Sequence, residues 1–193
     1  RQSGLAREMQ IVANNIANAA TSGYRAEGLI FSEYVKPVDG AASLSMGQGN
    51  VRNTSFEQGA LTRTDGAFDF AIEGDGYFLV ETPAGERLTR AGAFSPNAVG
   101  DLVTPDGYRV LDAGGAPLFV PPGAQVAVSA DGTMSLDGTP LGQLGLVHPL
   151  DALSMVREDG VMFRADAGYE PAQTARVVQG FVENSNVNAV GEL

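Results

Sequence analysis

The chain of 193 residues contains no cysteine, a single lysine (Lys36) and a single histidine (His148). Lack of cysteine excludes disulfides, thiol nucleophiles and cysteine-ligated zinc sites, and it suits a protein that leaves the cytoplasm without oxidative folding. The formal net charge is −11, and the arginines form no basic stripe. This charge argues against nucleic acid or an anionic membrane surface as a partner.

Long apolar runs are also absent. None approaches the roughly 20 residues of a membrane span, so no membrane insertion is predicted. The first residues are polar and helical in pattern, so no cleaved signal peptide is predicted. The composition, with 44% hydrophobic and 18% charged residues, is that of a folded protein of one large or two small domains. Its 25 glycines and 10 prolines indicate many turns and therefore β structure.

The stretch from Leu5 to Tyr24 predicts an amphipathic helix. Its apolar residues have the 4-3-4-3 spacing of heptad a and d positions: Leu5, Met9, Val12, Ile16 and Ala19. The other side is polar, with Arg7, Gln10, Asn14 and Asn18, and Ile11 lies among these polar residues. Gly23 is predicted to cap the helix with a positive φ, and Tyr24 to fold back on its last turn.

No second heptad helix follows this one for well over a hundred residues. The partner of the apolar seam is therefore the C-terminal end of the chain, another subunit, or both. A one-sided core helix with tolerated asparagines, including Asn15, is the alternative reading of this stretch.

The middle of the chain predicts a compact all-β domain over residues 67–150. Phe70 to Ile72 and Tyr77 to Val80 flank a glycine turn, Glu73 to Gly76, as in a hairpin. Further strands are predicted at 87–90, 102–104, 108–111, 118–120, 125–129, 133–136 and 141–147, separated by turn signals such as Asp-Gly. Residues 36–66 and 151–175 are predicted as extended connecting segments, and residues 25–36 as either an extended arm or a short helix.

At the C-terminal end, Ser185 or Asn186 is placed to cap a second helix whose first apolar positions are Val187 and Val190. The predicted fold class is therefore mainly β with terminal α-helices. A discontinuous helical domain, residues 1–35 and 176–193, would have its two ends paired and would carry the all-β domain as an insertion.

Catalytic or metal chemistry has little support in the sequence. His148 precedes a proline at a strand end without an obvious catalytic partner. The Asp131-Gly-Thr and Asp137-Gly-Thr segments lack calcium-loop spacing and read as turns. The loop from Glu73 to Gly76 has no lysine for phosphate binding. Glu158 and Asp159 are the acidic pair that a hydrolase would need, but nothing distinguishes them from other acids. No catalytic, metal or cofactor site is predicted.

Three motifs in order resemble the flagellar rod, hook and basal-body family. The N-terminal motif is Ala13-Asn14-Asn15-Ile16-Ala17-Asn18 with Thr21-Ser22-Gly23-Tyr24, and the C-terminal motif runs from Gln179 to Val187 (QGFVENSNV). Between them lie Ala71 to Val80 (AIEGDGYFLV) and Leu88 to Phe94 (LTRAGAF). The single β block is similar to that of the family's proximal rod proteins, and the distal rod proteins are the alternative. Phe181 departs from the leucine or tyrosine that is common there.

This resemblance implies a structural subunit that is not an enzyme. Terminal helices would form the inner wall of a tubular helical polymer that transmits torque, with the β domain outside. The implied partners are copies of this chain, neighbouring proximal and distal rod subunits and the flagellar type III export apparatus, and the implied location is the periplasmic basal body. The expected assembly residues are Leu5, Met9, Ile11, Val12, Asn14, Asn15, Ile16, Asn18, Gly23, Tyr24, Glu183, Ser185, Asn186 and Val187.

Two other functions stay open from the residues alone. One is a secreted β-domain module that binds a ligand such as carbohydrate, with the helices as appendages. The other is a hydrolase with an acidic site at Glu158 and Asp159.

Overall fold

The computed structural model of the protein describes residues 2–36 and 44–188. The chain divides into two compact units. The first contains residues 1–21, 25–57 and 185–193, and the second contains residues 22–24 and 58–184. Of the helices in the described ranges, none combines the length and the apolar character that crossing a bilayer requires.

The described residues form one α-helix, eighteen strands and a 3₁₀ turn at Ala152–Ser154. The helix is α1 (Gln2–Ala17). The first nine strands are β1 (Glu27–Lys36), β2 (Leu44–Thr54), β3 (Leu61–Arg63), β4 (Phe70–Glu73), β5 (Tyr77–Thr82), β6 (Gly85–Thr89), β7 (Ser95–Pro96), β8 (Leu102–Val103) and β9 (Arg109–Val110). The others are β10 (Val126–Val128), β11 (Thr133–Leu136), β12 (Thr139–Gln143), β13 (Leu146–Pro149), β14 (Met155–Glu158), β15 (Met162–Ala165), β16 (Tyr169–Pro171), β17 (Arg176–Gln179) and β18 (Phe181–Glu183).

The first unit combines α1 with a long two-stranded ribbon. Strands β1 and β2 pair antiparallel from Glu27↔Thr54 to Lys36↔Leu44, with a bulge between Ile30 and Phe31. Helix α1 contacts both strands. The sequence left residues 25–36 open between an arm and a short helix, and the structure shows a strand, consistent with their aromatic and β-branched residues.

The C-terminal part of the first unit is not helical where it is described. Residues 185–188 have no regular secondary structure, so no helix begins at Ser185 or Asn186 within them. The rest of the predicted C-terminal helix, including Val190, lies outside the described residues. The predicted discontinuous helical domain is therefore not shown, and the helical content of the described residues is limited to α1.

The second unit is all-β, which confirms the predicted β domain. Its largest sheet has nine strands in the order β14-β15-β6-β5-β9-β8-β7, with β13 pairing with both β5 and β16. Strands β10, β11 and β12 form a separate three-stranded sheet. Asp137 and Gly138, both with positive φ, link β11 to β12 as a two-residue hairpin turn requires. The predicted domain boundaries themselves stay a prediction.

Strand β5 explains why this unit has two apolar clusters. Side chains alternate between the two faces of a strand. Phe78 and Val80 pack into the larger cluster, whereas Tyr77 and Leu79 pack into the smaller one. All four side chains are buried, which is why the sequence of β5 is a continuous apolar run without polar alternation.

Four further strands of the second unit form two separate pairs, and they correct two predictions. Strand β4 pairs with β17, and β3 pairs with β18. Residues 176–183 were expected in the helical region, but they form strands. The hairpin predicted around Glu73 to Gly76 is also wrong, because β4 and β5 do not pair with each other.

Candidate assembly surface

Helix α1 exposes the apolar stripe that its heptad spacing predicts. Leu5, Met9 and Ile16 are 60%, 73% and 44% exposed, and Val12 is half-buried. We call these four residues the α1 seam. Single exposed apolar residues are normal on protein surfaces, whereas several on one stripe mark an interaction site. The seam is therefore the candidate assembly surface.

A neighbouring stripe of α1 is buried inside the first unit. Ile11 is 4% exposed and Asn15 is fully buried. The Asn15 amide group donates to the carbonyl oxygen of Glu27 (2.8 Å) and accepts from the Glu27 backbone N–H (3.0 Å). Ile11 and Asn15 are one helical turn apart and share this face. Both are therefore internal packing residues here, although the sequence placed Ile11 on an outward polar side.

Replacing Asn15 with alanine is expected to destabilise the first unit by about 1–3 kcal/mol, because both hydrogen bonds to the Glu27 backbone are lost in a buried site. Asn14 is an exposed neighbour on the same helix, so Asn14→Ala is the matched control. Hydrogen exchange of the α1 and β1 amides measures the effect. Equal exchange in the two variants would contradict this role of Asn15.

Two other expected assembly residues of α1 lie near its end. Asn14 is exposed, and Asn18 is half-buried. The Asn18 side chain donates to the Asn14 carbonyl oxygen (2.8 Å) and accepts from the Thr21 hydroxyl (3.2 Å). Asparagine side chains compete in this way with helical hydrogen bonds. The helix therefore ends at Ala17, well before Gly23.

Gly23 and Tyr24 belong to the second unit rather than to a helix cap. Gly23 has the predicted positive φ of 72°, but its N–H donates to the carbonyl oxygen of Glu183 (2.8 Å). Tyr24 is buried, and the Arg157 guanidinium lies over its ring, 4.6 Å from the centroid. The predicted cap geometry is therefore wrong. The place of both residues in an assembly interface stays a prediction, and their burial favours a role within the unit.

Glu183 is the centre of a buried polar cluster in the second unit. Its side chain and that of Arg90 are each 1% exposed, and the Arg90 Nη2 atom lies 2.6 Å from a Glu183 carboxylate oxygen. The other oxygen accepts from the Gly59 N–H (2.9 Å). Arg90 also donates to three carbonyl oxygens, those of Ile72 (2.9 Å), Gly74 (2.8 Å) and Gly76 (2.6 Å).

Three family motifs of the sequence thus meet in one cluster. Gly23 comes from the N-terminal motif, Arg90 from the central one and Glu183 from the C-terminal one. A Cβ atom on Gly23 would lie only 2.3 Å from the Ala91 nitrogen, so a side chain does not fit there. The sequence reasoning did not single out Arg90. Its place inside the central motif, directly before Ala91-Gly92, is the signal that could have identified it.

Ser185, Asn186 and Val187 lie in the first unit. The Asn186 side chain accepts from the Ala26 N–H (2.6 Å) and donates to the carbonyl oxygens of Ser55 (3.2 Å) and Glu57 (2.8 Å). The Ser185 hydroxyl accepts from the Val187 N–H (3.2 Å), as a capping serine would. Asn186 thus holds residues 185–187 against one end of the β-ribbon, where β1 begins and β2 ends, and all three residues remain expected assembly residues.

Two of the acidic candidates for catalysis or calcium binding, Glu158 and Asp131, have structural partners. Glu158 pairs with Arg87 (2.6 Å) and Arg164 (2.5 Å), and Asp159 adopts a positive φ in the adjoining turn. Hydrogen bonds from Ser129 and Thr133 lower the pKa of Asp131, whose carboxylate closes its own turn before β11. Nothing in this geometry arranges an acid and a base around a substrate.

His148 is exposed on β13 and lines an open cavity of about 400 Å³ together with Asp75, Glu170 and residues 171–174. Within the part of the chain that the structure describes, no three histidine, aspartate or glutamate side chains are grouped so that they could hold a metal ion.

Comparison with known proteins identifies the family. Residues 1–25 match the family described as "Flagella basal body rod protein", and residues 71–136 match "Flagellar hook protein FlgE/F/G D1 domain". FlgF from Caulobacter vibrioides is 40% identical over all of this chain and 82% of that protein. FlgF from Rhizobium meliloti is 39% identical over all of this chain and 81% of that protein.

FlgG from Bacillus subtilis is less similar, at 31% identity over 96% of this chain and 81% of that protein. The expected proximal rod type corresponds to FlgF and the alternative distal type to FlgG, so the comparisons favour the proximal type. The chain therefore belongs to the family of flagellar basal-body rod proteins, the structural subunits of the flagellar rod, and it is more similar to FlgF than to FlgG.

Proposed function

We propose that this protein assembles through its α1 seam and its C-terminal segment, with copies of itself and with neighbouring rod subunits, into the tubular helical polymer of the rod, which transmits torque. The observation that carries this proposal is the exposure of Leu5, Met9 and Ile16 on one stripe of α1. The family relatives are structural proteins, and we infer the same non-enzymatic role here.

Burial of the α1 seam favours association, but it is too small to hold two subunits together by itself. Burying a large apolar side chain is worth about 1.5–3 kcal/mol. Because the three exposed residues are already partly covered, with 60%, 73% and 44% of their surface exposed, their burial contributes about 3–5 kcal/mol, near the lower end of the roughly 4–15 kcal/mol that association costs in lost freedom of motion. A pairwise contact through the seam is accordingly weak. A stable polymer needs several contacts for each subunit, which is how a helical lattice without closed symmetry is built.

Charge favours an apolar contact of this kind. Each copy carries a formal charge of −11, so copies repel one another. The seam residues carry no charge, which lets this stripe approach a neighbour without burying an unpaired ion. Salt screens the remaining repulsion. Assembly of the purified protein should therefore become stronger as the salt concentration rises.

The location and the export route belong to the same proposal. We place the protein in the periplasmic part of the basal body, exported by the flagellar type III apparatus without a cleaved signal peptide. The support is family membership together with the absence of cysteine, which frees folding outside the cytoplasm from disulfide formation.

Labelling this protein in isolated basal bodies tests the proposal. We expect label in the rod, on its proximal side, in a strain whose only copy is the tagged one. The matched control is the same tag on a rod subunit of the FlgG type. Label at the FlgG position would replace the proximal assignment with the distal one. A complete, functional basal body without any label would contradict the structural role.

A further inference from the structure

Strands β3 and β18 form a separate two-stranded ladder in the second unit. They pair only with each other, from Phe181↔Arg63 to Glu183↔Leu61. An isolated two-stranded ladder is marginally stable in water. Strand β3 contains no buried residue, and β18 buries Val182 and Glu183. Apolar burial by itself therefore contributes little to holding this ladder closed.

The neighbouring ladder of β4 and β17 differs. Phe70, Ile72 and Val177 are all buried members of the larger apolar cluster. The ladder of β4 and β17 is therefore part of the apolar core. The ladder of β3 and β18 buries much less apolar surface, although β3 directly precedes β4 and β18 directly follows β17 in the chain.

Glu183 supplies the missing support for β18. In the closed ladder its carboxylate contacts the Arg90 guanidinium at 2.6 Å and accepts from the Gly59 N–H at 2.9 Å. Glu183 is the only carboxylate within ion-pair distance of Arg90 among the described residues. Arg90 is fixed in place by the carbonyl oxygens of Ile72, Gly74 and Gly76.

We propose that Arg90 and Glu183 form a latch that holds β18 on the second unit, so that the ladder of β3 and β18 opens as a local unit without unfolding of the main sheet. Breaking a buried ion pair by removing one partner is strongly destabilising, because the other charge stays buried without its counter-ion. Opening the ladder hydrates both charges. In a variant without the Glu183 charge, only the closed ladder keeps the Arg90 charge buried without a counter-ion. The free-energy cost of that buried charge therefore shifts the ladder toward its open form.

The latch also bears on Asn184, which follows β18 and is the last residue of the second unit. The Asn184 N–H donates to the carbonyl oxygen of Ala60 (2.8 Å), and its side chain donates to the Thr62 hydroxyl (2.7 Å). Gly59 has no room for a side chain, since a Cβ there would lie 2.0 Å from the Asn184 carbonyl oxygen. The closed ladder thus fixes the position of Asn184, the last residue of the second unit, and the open ladder frees it.

Hydrogen exchange on the full chain carrying Glu183→Gln tests the latch. We expect exchange in residues 59–63 and 181–184 to accelerate by roughly 100-fold or more, the factor that corresponds to loss of one partner of a buried pair. Amides of β5 and β11 should keep their protection. Glu183→Asp, which keeps the charge on a shorter side chain, should give an intermediate rate.

Glu81→Gln is the matched control, because Glu81 pairs with Arg109 at 2.6 Å while both side chains remain more than 40% exposed. Exposed pairs contribute little, so this variant should exchange like the parent protein. Unchanged exchange at 59–63 in Glu183→Gln would overturn the latch. Equal acceleration in β5 and β11 would overturn it as well, because the pair would then support the whole unit rather than one ladder.

Discussion

Replacing Met9 with aspartate is expected to abolish incorporation of the protein into rods, and with it motility, while the second unit keeps its stability. Met9 is the most exposed residue of the seam, so the isolated protein loses no internal packing. In the polymer the carboxylate would be buried in an apolar contact at a cost of several kcal/mol. That cost lowers each association constant by at least about 100-fold. Ile16→Asp should act in the same way.

Gln10→Asp is the matched control, because Gln10 is also exposed on α1 but lies on the opposite side from the seam. The two variants change the net charge equally. Basal bodies isolated from cells in which each variant is the only copy, together with swimming assays, give the readout. Thermal unfolding of the purified proteins shows whether the second unit is intact. Normal swimming with Met9→Asp would remove the seam from the assembly mechanism.

Helix α1 shows what hydrophobic spacing alone can predict and what it cannot. The heptad pattern predicts the helix and its apolar stripe, because periodicity is a property of neighbouring residues. It cannot show which stripe faces the protein's own body. The buried stripe of Ile11 and Asn15 has one apolar member, and Asn15 is buried only because the backbone of Glu27 supplies a donor and an acceptor. That pairing depends on tertiary structure.

In the second unit, too, local features can be predicted from the sequence, whereas the pairing of distant strands cannot. The apolar run of β5 and the Asp137-Gly138 turn are local signals, and the structure confirms both. The partner of β4 is not a local property. Its glycine-rich connection to β5 looks like a hairpin, yet β4 pairs with β17, about a hundred residues later in the chain. Pairing at that separation is decided by the whole fold.

The residue types at 176–183 themselves favour strands. Val177, Val178 and Val182 are β-branched and Phe181 is aromatic, as strands prefer. The expectation of a helical region came from pairing the two chain ends. Glu183 was likewise expected at an assembly surface. The sequence around a glutamate does not show that an arginine 93 residues away in the chain is its buried partner. The sequence therefore predicts the exposed apolar residues of the α1 seam, but it does not predict the buried cluster of Arg90 and Glu183.

Replacing Gly92 with alanine is expected to destabilise the second unit by roughly 3 kcal/mol or more, in line with severe overpacking of a core. A Cβ atom at this position would lie 1.8 Å from the Phe70 carbonyl oxygen and 2.9 Å from the Phe78 ring. The segments that contain Phe70 and Gly92 cannot move apart without loss of the hydrogen bond that the Phe70 N–H donates to the Gly92 carbonyl oxygen (2.9 Å). Phe78 also packs against Phe94, with ring centroids 5.3 Å apart.

Gly114→Ala is the matched control, because Gly114 is exposed in the same unit and its nearest neighbour is a side-chain oxygen of Asp112, 3.3 Å from the added Cβ. Chemical denaturation followed by circular dichroism compares the two variants. Gly92→Ala should lower the midpoint markedly, whereas Gly114→Ala should stay close to the parent protein. Because the strain lies at the start of the segment that follows Arg90, we expect it to weaken the Arg90–Glu183 pair as well. Similar midpoints for the two variants would show that the backbone of Phe70 can yield to a side chain at position 92, which would contradict the expected overpacking.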